Sequence, residues 1–126
     1  MRHVGIEFKI TPPFPDLAGA EITLHINGDD WVLSGQYGPL FHQEKIEKTV
    51  SSSHIEKILA KLADVKIPSI PQFSTGCDGT TYYLKLTHGF NSTSYKWWGA
   101  IPEEYQPLKY LCKTLLQLAK IETEVP

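Results

Sequence analysis

Arginine is almost missing from this chain of 126 residues: of its twelve basic residues only Arg2 is an arginine. Phosphates and base edges are gripped best by the planar guanidinium fork, and the lysines form no cluster, so nucleic acid is not an expected partner. An excess of charge of one sign is missing as well. The formal net charge is −2, and no segment reads as a charged tail or arm. Cysteine is equally scarce. Cys77 and Cys112 lie far apart and make no CxxC; a single disulfide between them is one reading, and two free thiols in a reducing compartment is the expectation. No unbroken apolar run is long enough for a signal-peptide core or a membrane span. Glu7 interrupts the first candidate and Pro12, Pro13 and Pro15 close it, so no membrane partner is expected and the cytoplasm is the expected location.

What remains is an ordinary globular composition, 41% hydrophobic and 21% charged, in a chain of the usual size for one domain spanning 1–126. Val4, Ile6, Phe8 and Ile10 alternate with polar residues, the period-two pattern of a strand with one wet face. Ile22, Leu24 and Ile26 repeat it. Asn27-Gly28 then supplies the positive-φ pair of a tight hairpin, and Trp31-Val32-Leu33 reads as the return strand. Lys45 to Val50 is a fourth candidate strand. Ser53 with Glu56 three residues on predicts a capping box, followed by Ile55, Ile58, Leu59 and Leu62 on one helical face.

The last third is the plainest. Thr80 to His88 is dense in β-formers, Gly89-Phe90-Asn91-Ser92 predicts a turn, and Thr93 to Trp98 returns. Leu108, Leu111, Leu115 and Leu118 then line a closing helix, with Pro107 acceptable only if Pro102–Tyr105 forms a separate turn or the helix begins near Gln106. The order strands, helix, hairpin, helix predicts an α+β fold: one mostly antiparallel sheet of about five to six strands with two amphipathic helices on one face.

Chemistry-bearing patterns are thin. The five histidines form no HExxH and no helix-face pair, and no Cys–His grouping has metal-ligand spacing, so neither metal nor cofactor is expected. The glycines match no phosphate loop. Cys77-Asp78-Gly79 is the one local group that suggests a nucleophile, and it sustains an alternative reading as a small cysteine-dependent hydrolase or transferase. His88 cannot be its base, because the far end of an intervening strand lies roughly 30 Å away at ~3.3 Å per residue. As a turn, Asp78-Gly79 explains itself.

Aromatic residues are what the sequence has most of beyond its core needs. Trp97 and Trp98 are adjacent on a strand and so must point to opposite faces. One joins the core; the other needs a cover or a partner. The expected partner-binding residues are Trp97 or Trp98 as anchor, with Tyr82, Tyr83, Asp29 and Asp30 around it.

The run Asp78-Gly79-Thr80-Thr81-Tyr82-Tyr83-Leu84, then Tyr95-Lys96-Trp97-Trp98, Pro102 and the leucine helix, resembles a segment of small bacterial proteins. Some of these are immunity proteins of contact-dependent and other polymorphic-toxin systems. The likeness covers about the last third of the chain, and its motif residues are structural. It implies a non-enzymatic cytoplasmic protein that binds a protein partner, a toxin domain in that case. A homodimeric adaptor, its aromatic sheet face meeting a second copy, is the other binding alternative.

Overall fold

The computed structural model describes residues 4–27, 30–39, 41–63, 79–88 and 91–123. They form six strands and two α-helices: β1 (Val4–Thr11), β2 (Gly19–Asn27), β3 (Asp30–Gly38), β4 (Glu44–Val50), α1 (Ser52–Ala63), β5 (Thr81–His88), β6 (Asn91–Trp98) and α2 (Gln106–Leu118), the last preceded by a 3₁₀ turn at Glu103–Tyr105. All six strands join one sheet in the order β4-β3-β2-β1-β5-β6, each neighbouring pair antiparallel. The expected α+β class and the single antiparallel sheet are what is found.

The period-two patterns decide which side of each strand is buried. Ile6, Phe8 and Ile10 of the central β1 share a face with Ile22 and Leu24 of β2, Trp31 and Leu33 of β3, Tyr82 and Leu84 of β5, and Trp97 of β6, and all are buried. Ile55 and Ile58 of α1 and Leu108, Leu111 and Leu115 of α2 belong to the same core cluster. Each such side chain removed from water contributes roughly 1.5–3 kcal/mol.

Proline and serine set the helix starts. Pro107 occupies the first turn of α2, where its missing N–H costs nothing, and Glu103–Tyr105 is the separate turn that the proline demanded. Helix α1 begins at Ser52, so Ser51 rather than Ser53 takes the cap position. Ser51 and Ser53 share a hydroxyl–hydroxyl hydrogen bond of 2.8 Å. Asn91 and Ser92, expected in the turn, already pair with His88 and Thr87 as strand. The buried stripe of α2 is also wider than its leucine spacing implied. Cys112, Thr114 and Leu116 are buried while Leu118 is half-buried, and Thr114 Oγ1 satisfies itself by donating to Tyr110 O at 2.8 Å.

The end of α2 is a Schellman cap. Ile121 N–H donates to Leu116 O at 2.9 Å, Lys120 N–H to Gln117 O at 3.1 Å, and Lys120 takes φ 58°. Ile121 and Leu116 are both buried, supplying the apolar contact that accompanies this cap.

Gly35 is a point of close approach in β3. It lies opposite Ile22 and Ile46, and a Cβ there would run into the Glu21 carbonyl oxygen. Backbone in a paired strand cannot swing aside as a side chain can. Gly35→Ala should therefore cost about 1–3 kcal/mol. The result to measure is a lower urea midpoint with unchanged slope; an unchanged midpoint would contradict the close approach.

Candidate functional site

The face of the sheet away from the core carries a regular grid, fixed by strand register. One row across it reads Lys96, Tyr83, Lys9, Glu21, Gln36 and Lys45, from β6 to β4. The next reads Ser94, Lys85, Glu7, Thr23, Ser34 and Glu47. None of these twelve side chains is buried. At the β6 end of the neighbouring row Trp98 stands opposite Thr81 and is 42% exposed. Phe14, Leu17 and Phe41 are exposed further still, but they lie in loops; Trp98 is the tryptophan left open on the strand face itself.

Alternation separates the two indoles as expected. Trp97 is 2% exposed and sits in an aromatic column: Phe8 stacks on Tyr82 at 6.4 Å between centroids, Tyr82 on Trp97 at 5.6 Å, and Tyr105 meets Trp97 edge-on at 6.3 Å. Tyr95 adds a further edge contact to Tyr105 at 5.3 Å. Burial raises the pKa of Tyr82 and of Tyr105, with smaller contributions from Cys112 and from Tyr95 and Glu104 respectively. Trp97 and Tyr82 are thus core residues and present no surface to a partner; that part of the expected site is corrected. The indole N–H of Trp97 is buried and has no hydrogen-bond partner among the described residues.

Trp98 and Tyr83 remain, one row apart on neighbouring strands. Lys9 joins them. Its ammonium lies 5.8 Å from the Tyr83 ring centroid and 3.2 Å from Glu7 Oε1, and the hydrogen bond and charge of Glu7 raise its pKa. Asp30 does not belong here. It is exposed at the opposite end of β3, four strand spacings from β6, roughly 19 Å sideways at ~4.8 Å each, before the offset along the strands is added. Asp29 lies outside the described residues.

Beside this patch the loop after β1 folds onto the same face. Gly19, whose missing Cβ would lie 3.0 Å from Pro12 Cδ, lets the proline run close over the sheet. Together with Lys9, Thr11 and Glu21 the loop encloses a cleft of about 340 Å³, and Phe14 and Leu17 stand exposed at its rim. Lys9 is shared by the cleft and the Tyr83 contact. The proline-rich run Pro12-Pro13-Phe14-Pro15 was legible as a loop, but its return across the outer face depends on Gly19 and could not be read from composition.

The enzyme alternative acquires no site from the described residues. Cys77 and Asp78 lie outside them. Cys112 is a free, fully buried thiol whose pKa burial pushes up to about 12, the opposite of an activated nucleophile. His25 lies on the outer face and His42 and His54 are exposed; among the described residues no three His, Cys, Asp or Glu side chains gather as a metal site. Nor is any described helix long and apolar enough to cross a membrane. No protein-family model matches this chain, and neither a curated protein nor a solved structure is detectably similar to it.

Proposed function

We propose that this chain is a non-enzymatic protein-binding protein whose working surface is the outer face of the sheet around Trp98. In this reading both helices cover the inner face and leave the outer face to a partner. Trp98 is the anchor, Tyr83 with its stacked Lys9 the flank, and Phe14 and Leu17 of the proline loop the far margin. The observation that carries the reading is the open indole of Trp98 beside Tyr83 on a face where none of the twelve residues in the two central rows is buried. Binding energy concentrates in such aromatic anchors, ringed by polar groups that exclude water once a partner seats.

The closing hairpin and helix resemble a segment of small bacterial proteins, some of them immunity proteins, and on that reading the partner is a toxin domain inhibited in the cytoplasm by direct occlusion. The net charge of −2 argues against a nuclease as that toxin, since a nucleic-acid mimic would be more acidic.

Trp98→Ala should weaken binding of the cognate toxin, sought first as the product of a neighbouring gene, by at least about thirtyfold, the loss of roughly 2 kcal/mol that marks an interface anchor. Co-expression of that neighbouring gene, with growth and co-purification as readouts, checks it. Protection by the wild type and its loss in Trp98→Ala, with unchanged circular dichroism, is the expected result. Equal protection by both proteins, or by neither, would overturn the assignment.

A further inference from the structure

Among the described residues β6 is the outermost strand of the sheet on the Trp98 side, and its pairing register fixes which backbone groups face outward. Gly99 N–H donates to Thr80 O at 3.0 Å, just beyond the Thr81–Trp98 pair. In an antiparallel ladder, hydrogen-bonded and non-hydrogen-bonded pairs alternate. Trp97, Tyr95, Thr93 and Asn91 therefore spend their backbone groups on β5. Ser92, Ser94, Lys96 and Trp98 direct their N–H and C=O groups outward, and among the described residues no strand pairs with them. The residues whose backbone faces outward from β6 are the same ones whose side chains stand on the outer face.

The two edges of the sheet are protected differently. β4 carries two glutamates and two lysines in seven residues, a composition that discourages strand addition. β6 carries one lysine in eight residues and no proline, and its neighbour β5 adds only Lys85. Neither β5 nor β6 contains an acidic residue, and the nearest carboxylate across the sheet, Glu7, is paired to Lys9.

Resting on the reading of the outer face as the partner surface, we infer that the edge of β6 takes up an extended acidic segment of the partner protein as a seventh strand. The added strand exchanges backbone hydrogen bonds with Ser92, Ser94, Lys96 and Trp98. It places a carboxylate opposite Lys96 and, two residues away, an apolar side chain against the Trp98 indole. Directly opposed side chains lie about 4.5–5.5 Å apart, within reach of an ion pair and of aromatic contact. The charge pattern selects this occupant over a second copy of the chain, because two β6 strands would bring lysines and no acid to the junction. Backbone bonds then supply affinity, and the alternate side chains supply specificity.

The test is a display library of random ten-residue peptides, selected on the full-length chain at physiological salt. Recovered sequences should carry Asp or Glu two residues from an apolar position. A recovered peptide made synthetically should lose at least about tenfold in affinity when N-methylated at alternate residues in one phase and little in the other, because only one phase faces β6. Lys96→Glu, a change at an exposed position, should reverse the selected charge to Lys or Arg. An empty selection, or peptides indifferent to both N-methylation phases and to Lys96→Glu, would overturn strand addition. If those peptides still weaken on Trp98→Ala, the partner surface stands and only its strand geometry fails; if they ignore Trp98 as well, both fail. Concentration-dependent dimerisation abolished by Ser94→Pro would assign the edge to a second copy. Binding of a mixed-sequence 20-nucleotide single-stranded DNA, lost in Lys96→Glu, would assign it to nucleic acid. Either result overturns the proposal.

Discussion

Replacing Trp97 by alanine should cost about 3–5 kcal/mol of stability, while the same replacement one residue on, at Trp98, should stay within about 0.5 kcal/mol. The sequence chemistry of the two changes is identical; only the face differs. Trp97 fills the centre of the column Phe8–Tyr82–Trp97–Tyr105, so its removal leaves a cavity bounded by rings that two strands and the Glu103–Tyr105 turn hold apart. Collapse into that space would require β1, β5 and the turn to move together, which is why the loss belongs at the large end of its class. Trp97→Phe separates packing from polarity. It keeps a ring in the stack and removes a buried N–H that has no partner among the described residues, so it should cost less than about 1.5 kcal/mol. Urea unfolding of the three variants, followed by far-ultraviolet circular dichroism, decides it. A Trp98→Ala variant as unstable as Trp97→Ala would place both indoles in the core and remove the proposed anchor.

That contrast also shows how far the residues alone could be read. The opposition of Trp97 and Trp98 follows from strand alternation and was legible without coordinates. Which one is buried was not, because that depends on the face to which Phe8 and Tyr105 come, from β1 and from the turn before α2. The same reason explains why Asp30 looked like a neighbour of the aromatics. Hairpin links set the local pairings β2–β3 and β5–β6, yet β1 enters the middle of the sheet and pairs with β5 across most of the chain. That long-range pairing puts Tyr83 beside Lys9 and sends Asp30 to the opposite end. The boundary errors were local and small: a serine run offers three candidate caps, and the first backbone hydrogen bond of the helix, from Ile55 N–H, is to Ser51 O. Lys9 and Lys96 went unrecognised because a lone strand lysine has no signal until its cross-strand partners are known.

Raising the pH should destabilise the fold from about pH 9 upward, by a margin comparable to the loss of Trp97. Cys112 is fully buried on α2, and desolvation pushes its thiol from an ordinary value near 9 up to about 12. Between those values the unfolded chain has released a proton that the folded chain still holds. Stability is therefore fully present below pH 9 and is lost as pH rises, to a limit of about 4 kcal/mol at three pKa units of 1.36 kcal/mol each. Tyr82 and Tyr105 push in the same direction from pH 10, since burial raises both, and Cys112 itself helps to raise Tyr82. Ionising one of that pair inside the core makes ionising the other harder, so the two losses are coupled rather than independent. Lys9 also has its pKa raised by Glu7 and loses its pair in the same range, but it is exposed and contributes little. Urea titrations at pH 7, 9 and 10.5 should show a level stability followed by a steep fall, and Cys112→Ala should flatten the first part of that fall. Trp97, in the aromatic column adjoining Cys112, and Trp31 of β3 are both buried, so intrinsic fluorescence should report the transition through these two indoles, with a smaller change from the part-exposed Trp98. A stability that holds level to pH 10.5 would mean that the Cys112 thiol ionises freely. The core beneath β5 and β6 would then be too open to hold one side of the sheet dry while the other serves as the proposed partner surface.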